Sequence, residues 1–227
     1  SIVRQIFERK KPLMHVGEHY QIPYTGEGSL GLGKPLKSIV HGNPNIPIYT
    51  GVATEKGVKV AAECADGCFL VWTNPDKFNL WKKPLETGFS NSKKKKSMST
   101  FDFAPFVRIS MGNDVERCRI PIKQGLALYV GGMGARKKNF YNDYTKRLGY
   151  EDAAEKIQNL YLSGKKEAAV KAVPDEYVDE TSLVGPPERI KEQLQRWVEA
   201  EKRQELGTMI ISANNVNELR FLAENLL

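Results

Sequence analysis

The chain has 227 residues, 41% of them apolar, and 34 Lys and Arg against 27 Asp and Glu give it a net charge of +7. That length suffices for a single domain, 1–227, with a sizeable core, and the charge argues little for nucleic acid, because much of the excess is the run Lys93-Lys94-Lys95-Lys96, set among Ser and Asn without interleaved aromatics, as in a solvated loop. No apolar stretch approaches the ~20 residues of a membrane span, and three cysteines without a secretory signal point to a reducing, cytoplasmic setting.

In chain order, Ser1 to Arg9 (SIVRQIFER) is amphipathic but lacks a capping signal, which predicts the tail of a helix that begins upstream. His15, His19 and His41 cluster around an early loop, where a general base and a polar surface role are both open. Gly17 to Tyr24 reads as a short extended insert. Gly26 to Gly33 is a glycine-rich loop ending at Lys34-Pro35-Leu36-Lys37, and its spacing matches neither the Walker nor the dinucleotide pattern.

Ile46 to Trp72 predicts strand, loop, helix and strand. Ile46, Ile48 and Tyr49 are β-formers around Pro47, giving a strand over 46–50. Val58, Val60, Ala61, Ala62, Cys64 and Ala65 give an apolar helical face, Asp66-Gly67 stops the helix, and Cys68 to Trp72 is a near-continuous apolar run. This is a βαβ unit of a parallel sheet. Ligand chemistry in such units sits at the carboxyl ends of the strands, so the small-residue loop Gly51-Val52-Ala53-Thr54 is the first candidate site; its free N–H groups at a helix start suit a phosphate. A short βα loop is also small for steric reasons alone. Cys64 and Cys68 stand four apart without a histidine near in sequence, so core thiols rather than a metal site are expected.

Asn74-Pro75 opens a helix through about Phe89, and Phe101 to Met111 alternates as a strand. Asp114 caps a helix from Val115 to about Tyr129, broken by Gly131-Gly132-Met133-Gly134. The following basic and aromatic segment, Arg136 to Tyr141, is a second candidate for ligand contact, with Arg136 and Asn139 as its polar groups; a solvated helix-to-helix turn is the competing reading. Helices rich in Ala, Glu and Lys fill 151–172, Gly185-Pro186-Pro187-Glu188 opens a helix to about Lys202, and Thr208 to Ser212 is the last strand before a closing helix from Val216. Four principal strands result.

"IPIYTGVATEKGVKVAAECADGCF" resembles the fifth-strand segment of the bacterial luciferase-like oxidoreductases, the (β/α)8 family that includes flavin monooxygenases and enzymes dependent on the deazaflavin coenzyme F-420. The likeness continues in "GEHYQIPY", "GLGKPLK", "ALYVGGMGARKKNFYNDYTKRLGYEDAAEKIQ" and "VDETSLVGPPERIKEQLQRW", covering most of the chain, with the later blocks similar to the deazaflavin branch. The resemblance implies an α/β fold of the TIM-barrel type, incomplete, with strands five to eight, a helical insertion, and strands one to four belonging ahead of Ser1. It implies hydride transfer between coenzyme F-420 and a small organic substrate, with FMN and monooxygenation as the alternative. A truncated remnant that binds flavin or dimerises without catalysis is a further alternative, and a homo-oligomer would cover open strand edges. Gly51, Val52, Ala53 and Thr54 would hold the cofactor, with the Asp66-Gly67 turn assigned to the same function. No catalytic acid or base and no metal ligand is named.

Overall fold

The chain folds as two compact units, Ser1–Pro47 and Ile48–Leu227. The computed structural model describes residues 2–31 and 36–226. Ser1, Leu227 and the Leu32 to Pro35 part of the glycine-rich loop lie outside the described residues.

The first unit holds helix α1 (Ile2–Glu8) and a two-stranded hairpin of β1 (His15–Val16) and β2 (Gln21–Ile22). Its backbone is tied by Arg4, whose Nη1 donates to the carbonyls of Pro44 at 3.0 Å and Ile46 at 2.6 Å. Leu13 is buried, whereas Val16, Leu30 and Ile39 are exposed. His15 is half-buried, and His19 and His41 are exposed. Among the described residues no cluster of His, Cys, Asp and Glu has the makings of a metal site, and no helix is long and apolar enough to cross a membrane.

The second unit is a parallel sheet with helices. Strand β3 (Tyr49–Gly51) leads through the small-residue loop to α2 (Glu55–Cys64) and β4 (Gly67–Val71); a 3-10 turn at Pro75–Lys77 and α3 (Asn79–Asn91) precede the long β5 (Asp102–Met111). Next come α4 (Val115–Gly132), α5 (Phe140–Arg147), α6 (Glu151–Leu162), α7 (Lys166–Lys171) and α8 (Asp175–Thr181), then β6 (Ser182–Gly185), α9 (Pro187–Lys202), β7 (Ile210–Ser212) and α10 (Val216–Leu226). All pairings in this sheet are parallel: β3 with β4, β4 with β5, and β5 with both β6 and β7. Phe106 faces both Val71 and Ile210, and Arg108 faces both Ser182 and Ser212. A strand residue has one neighbour on each side, so β4 and β6 lie end to end along one edge of β5 and β7 runs along the other.

The first strand is shorter than 46–50 predicts. Pro47 has no N–H for a ladder, and the Ile48 N–H donates to the Asp66 carboxylate at 2.7 Å. The sheet also has a fifth strand, β6, which the sequence conceals: four buried residues follow a helix directly and run into Gly185-Pro186, leaving no alternation to read.

One face of the sheet is covered. Cys68 and Phe103, register partners, are fully buried with Leu70 and Val107, and Phe103 packs edge-on to Phe78 at 5.4 Å and against Trp81 of α3. Each such side chain contributes about 1.5–3 kcal/mol by leaving water. Helix α2 buries Val58, Ala61 and Ala62 in that layer, and α3 approaches it at Gly88, where a Cβ would stand 2.6 Å from the Ala62 Cβ. Two expectations for α2 are corrected. Val60 and Cys64, one turn apart, fall on its flank and are exposed, and the Cys64 thiol donates to the Val60 carbonyl at 3.0 Å. Cys68 and Cys118 are the buried thiols, and burial, with Asp102 nearby, pushes the Cys68 thiol up to about 12.

The lysine run is a solvated loop only in part. Lys93, Lys94 and Lys95 are exposed, but the Lys96 ammonium turns inward and donates to the carbonyls of Ala62, at 3.0 Å, and Ala65, where it satisfies the end of α2. Burial lowers its pKa.

Candidate functional site

A cavity of about 860 Å³ opens at the carboxyl ends of β3 and β4 and beside the middle of β5. Its rim is the loop Gly51-Val52-Ala53-Thr54 with Lys56, Gly57 and Val60 of α2; its floor is Phe69, Val71 and Phe106; Phe140 and Tyr141 of α5 form a wall. The floor residues share the face of the sheet that helices leave open. Tyr49 stacks on Phe69 at 5.1 Å, Phe69 meets Phe106 edge-on at 5.6 Å, and Phe106 is 38% exposed.

Local chemistry shapes the rim. The Val52 N–H extends the β3–β4 ladder to the Phe69 carbonyl at 3.0 Å, after which the chain turns into α2. Thr54 caps that helix, its Oγ1 accepting from the Gly57 N–H at 3.0 Å. A Cβ placed on Gly51 would meet nothing within 4 Å. The buried Thr50 hydroxyl has no hydrogen-bond partner among the described residues. A flat, largely apolar ligand fits the floor, and an anionic group suits the rim, where helix N–H groups and Lys56 supply positive potential. These residues therefore fit a flavin-like cofactor.

The wall is anchored by aromatic packing. Tyr141 meets Tyr129 at 4.9 Å and Trp72 at 5.6 Å, both edge-on. Trp72 holds a positive φ of 50° at the end of β4, and its carbonyl accepts from the Tyr144 hydroxyl at 3.1 Å. Burial holds that phenol well above its ordinary pKa. Arg147 of α5 reaches the rim, donating to the Ala53 carbonyl and to Glu55 Oε1, each at 3.1 Å.

All four loop residues, Gly51 to Thr54, thus line the cavity. Asp66 and Gly67 do not, because they stand at the opposite end of β4. The Asp66 carboxylate accepts from Ile48, while its backbone bonds to Ile48 at 2.8 Å and Asp102 at 3.0 Å, so it fastens the turn. Arg136 and Asn139 are also outside. Arg136 is exposed and donates to Asn159 Oδ1. Asn139, 2% exposed, is spent on structure: its oxygen caps α5 at the N–H groups of Tyr141 and Asn142, and its amide donates to the Tyr129 and Val130 carbonyls. Its aromatic neighbours Phe140 and Tyr141, in the same candidate segment, reach the cavity instead, and Phe69, Val71 and Phe106 are among the lining residues that sequence reasoning missed.

Residues 1–204 match the family of luciferase-like monooxygenases. The chain belongs to that family. Among curated members, this luciferase-like chain is 34% identical over 224 residues to a Mycobacterium tuberculosis protein named as a coenzyme F-420-dependent oxidoreductase, covering 98% of this chain and 63% of that one. It is 24% identical over 188 residues to the 5,10-methylenetetrahydromethanopterin reductase of Archaeoglobus fulgidus, covering 81% and 54%. The chain thus spans roughly three-fifths of these relatives' length. Among solved structures it resembles the coenzyme F-420-dependent tetrahydromethanopterin reductase of Methanopyrus kandleri, with a TM-score of 0.70 at 19% identity over 99% of this chain and 59% of that one. An F-420-dependent secondary alcohol dehydrogenase, solved with an F-420–acetone adduct, gives a TM-score of 0.63 at 17% identity, covering 98% and 57%. These likenesses establish an α/β fold of the luciferase-like barrel type.

Proposed function

We propose that the chain carries the cofactor-holding side of an F-420-dependent oxidoreductase that moves a hydride to or from a small organic substrate. The observation that carries this reading is the cavity at the carboxyl ends of β3 and β4, with an apolar floor of Phe69, Val71 and mid-strand Phe106 beneath the small-residue rim Gly51–Thr54. The 34%-identical relative's name supports the deazaflavin over FMN. When bound, the deazaflavin supplies the hydride chemistry, and the protein supplies orientation and electrostatics. In this assignment the N–H groups at the start of α2 and Lys56 hold the anionic part. Phe106 and Tyr141 flank the ring and exclude water, and Gly51 leaves room for close backbone approach. The three unpaired thiols fit a cytoplasmic setting, and the outer edges of β3 and β7, which pair with no strand among the described residues, favour self-association.

The test is an anaerobic fluorescence titration of the folded 227-residue chain with oxidised F-420 and, separately, FMN. Saturable micromolar binding of F-420 supports the proposal. Binding of FMN alone replaces it with the flavin monooxygenase reading, and binding of neither overturns it for this chain.

A further inference from the structure

Resting on the cofactor reading above, we infer that Arg147 is a positioning residue that sets the conformation of the Gly51–Thr54 rim from helix α5. Three observations meet on its guanidinium. It lies 4.9 Å from the ring centroid of Trp81 and 5.6 Å from that of Tyr144, both fully buried rings. Its two terminal nitrogens then split: Nη2 donates to the Ala53 carbonyl and Nη1 to Glu55 Oε1. Those partners bracket Thr54, the N-cap of α2.

The geometry is particular to arginine. A planar fork lies flat on an aromatic surface while its edge bonds to two acceptors, whereas a lysine ammonium is a compact point charge. Through this fork, residues on both sides of the cap are fixed relative to the core. The N–H groups at the start of α2 thereby keep one direction, as binding an anionic group without an ordering cost requires. Among the described residues the other bonds on the rim are local to its own strand and helix: Val52 N–H to the Phe69 carbonyl, Gly57 N–H to Thr54 Oγ1, and Val58 N–H to the Thr54 carbonyl.

Helix α5 is therefore both wall and brace. Phe140 lines the cavity and Arg147, seven residues on, lies on the same helical face two turns away. Asn139 fixes the start of that helix on the Tyr129 and Val130 carbonyls. The wall and the rim, remote in sequence, are set by one element.

The test compares the wild-type chain with Arg147→Met and Arg147→Lys in two measurements. Hydrogen–deuterium exchange is followed for 50–58 against β4 and β5, and the Kd for F-420 is taken from the anaerobic titration. In R147M the amides of Ala53 to Gly57 exchange about tenfold faster while those of β4 and β5 stay within about twofold, and the Kd rises about tenfold. R147K recovers part of both. The inference is overturned if rim exchange is unchanged, if β4 and β5 accelerate in step with it, or if the rim loosens while the Kd stays constant. A wild-type chain that binds no cofactor sinks the functional reading, and the exchange contrast still decides whether Arg147 braces the rim.

Discussion

The two ends of the β3–β4–β5 sheet differ more than their sequences suggest. Each carries a glycine, Gly67 at the amino end and Gly51 at the carboxyl end, for opposite reasons. A Cβ on Gly67 would stand 2.6 Å from the Asp102 carbonyl oxygen and collide with the Tyr49 ring, whereas one on Gly51 would meet nothing within 4 Å. Around Gly67 polar groups are satisfied: Tyr49 donates to Asp102 Oδ2 at 2.7 Å, Thr208 N–H donates to Asp102 Oδ1 at 2.8 Å, and Asp66 holds Ile48. Around Gly51 a buried threonine hydroxyl lacks a partner among the described residues, and an aromatic floor faces open space. The amino end is closed by crowding and holds the fold together. The carboxyl end is kept open and is where binding is proposed.

The strongest way to break this contrast is Gly67→Ala, expected to destabilise the chain by about 3 kcal/mol through overpacking against backbone. A urea midpoint shift would register it, and wild-type stability would mean the amino end is not crowded. Asp66→Ala follows, costing about 1–2 kcal/mol because the Ile48 N–H loses its acceptor, with little effect on cofactor affinity in the folded fraction; a large Kd change at unchanged stability would restore Asp66 to the binding site.

The Tyr49 phenol sharpens the same point through pH. Burial, followed by the hydrogen bond to Asp102, raises its pKa to about 12 from an unfolded value near 10. The folded state thus holds the proton more tightly, so this contribution is fully present below pH ~10 and is lost as pH rises towards ~12. Tyr144 and Tyr177 are raised by burial too, so the readout is the difference between wild type and Tyr49→Phe, whose stability should fall less steeply over that window. Equal slopes would count against a half-buried, hydrogen-bonded phenol.

At the carboxyl end the expected stability effects are smaller and the binding effects larger. Phe106→Ala removes a side chain that is 38% exposed and should cost about 1 kcal/mol, less than the ~3–5 kcal/mol of a buried phenylalanine, while weakening F-420 binding severalfold. Gly51→Ala should change stability by less than ~0.5 kcal/mol and raise the Kd about tenfold. If both variants bind like wild type, the cavity is not the cofactor's place.

Much of the local structure was legible from residue order. The Thr54 cap, Asp66-Gly67 stop, Asp114 cap and Pro187 helix start are short-range backbone chemistry, and the structure has them where the spacing puts them. Strand β6 was illegible because a buried four-residue strand between a helix and a proline has no period. In the second candidate segment the residues that line the cavity are the aromatic ones, not the polar ones. Asn139 and Arg136 carry the polar groups that suggest a ligand, yet Asn139 spends its amide on capping α5, while the aromatic members of the segment, Phe140 and Tyr141, face the cavity.

By itself, then, the sequence determined the βαβ order, several helix starts and a small-residue loop at the carboxyl end of a strand, because each depends on torsions and hydrogen bonds within a few residues; it did not determine the helix ends, since α4 runs on through Gly131 and Gly132. The tertiary structure alone decided that Phe69, Phe106 and Tyr141 share one cavity, that Lys96 turns inward, and that Arg147 grips the rim. Those depend on which strands pair and which helix crosses them, and the energy that selects them is burial of apolar surface, which acts without regard to distance along the chain.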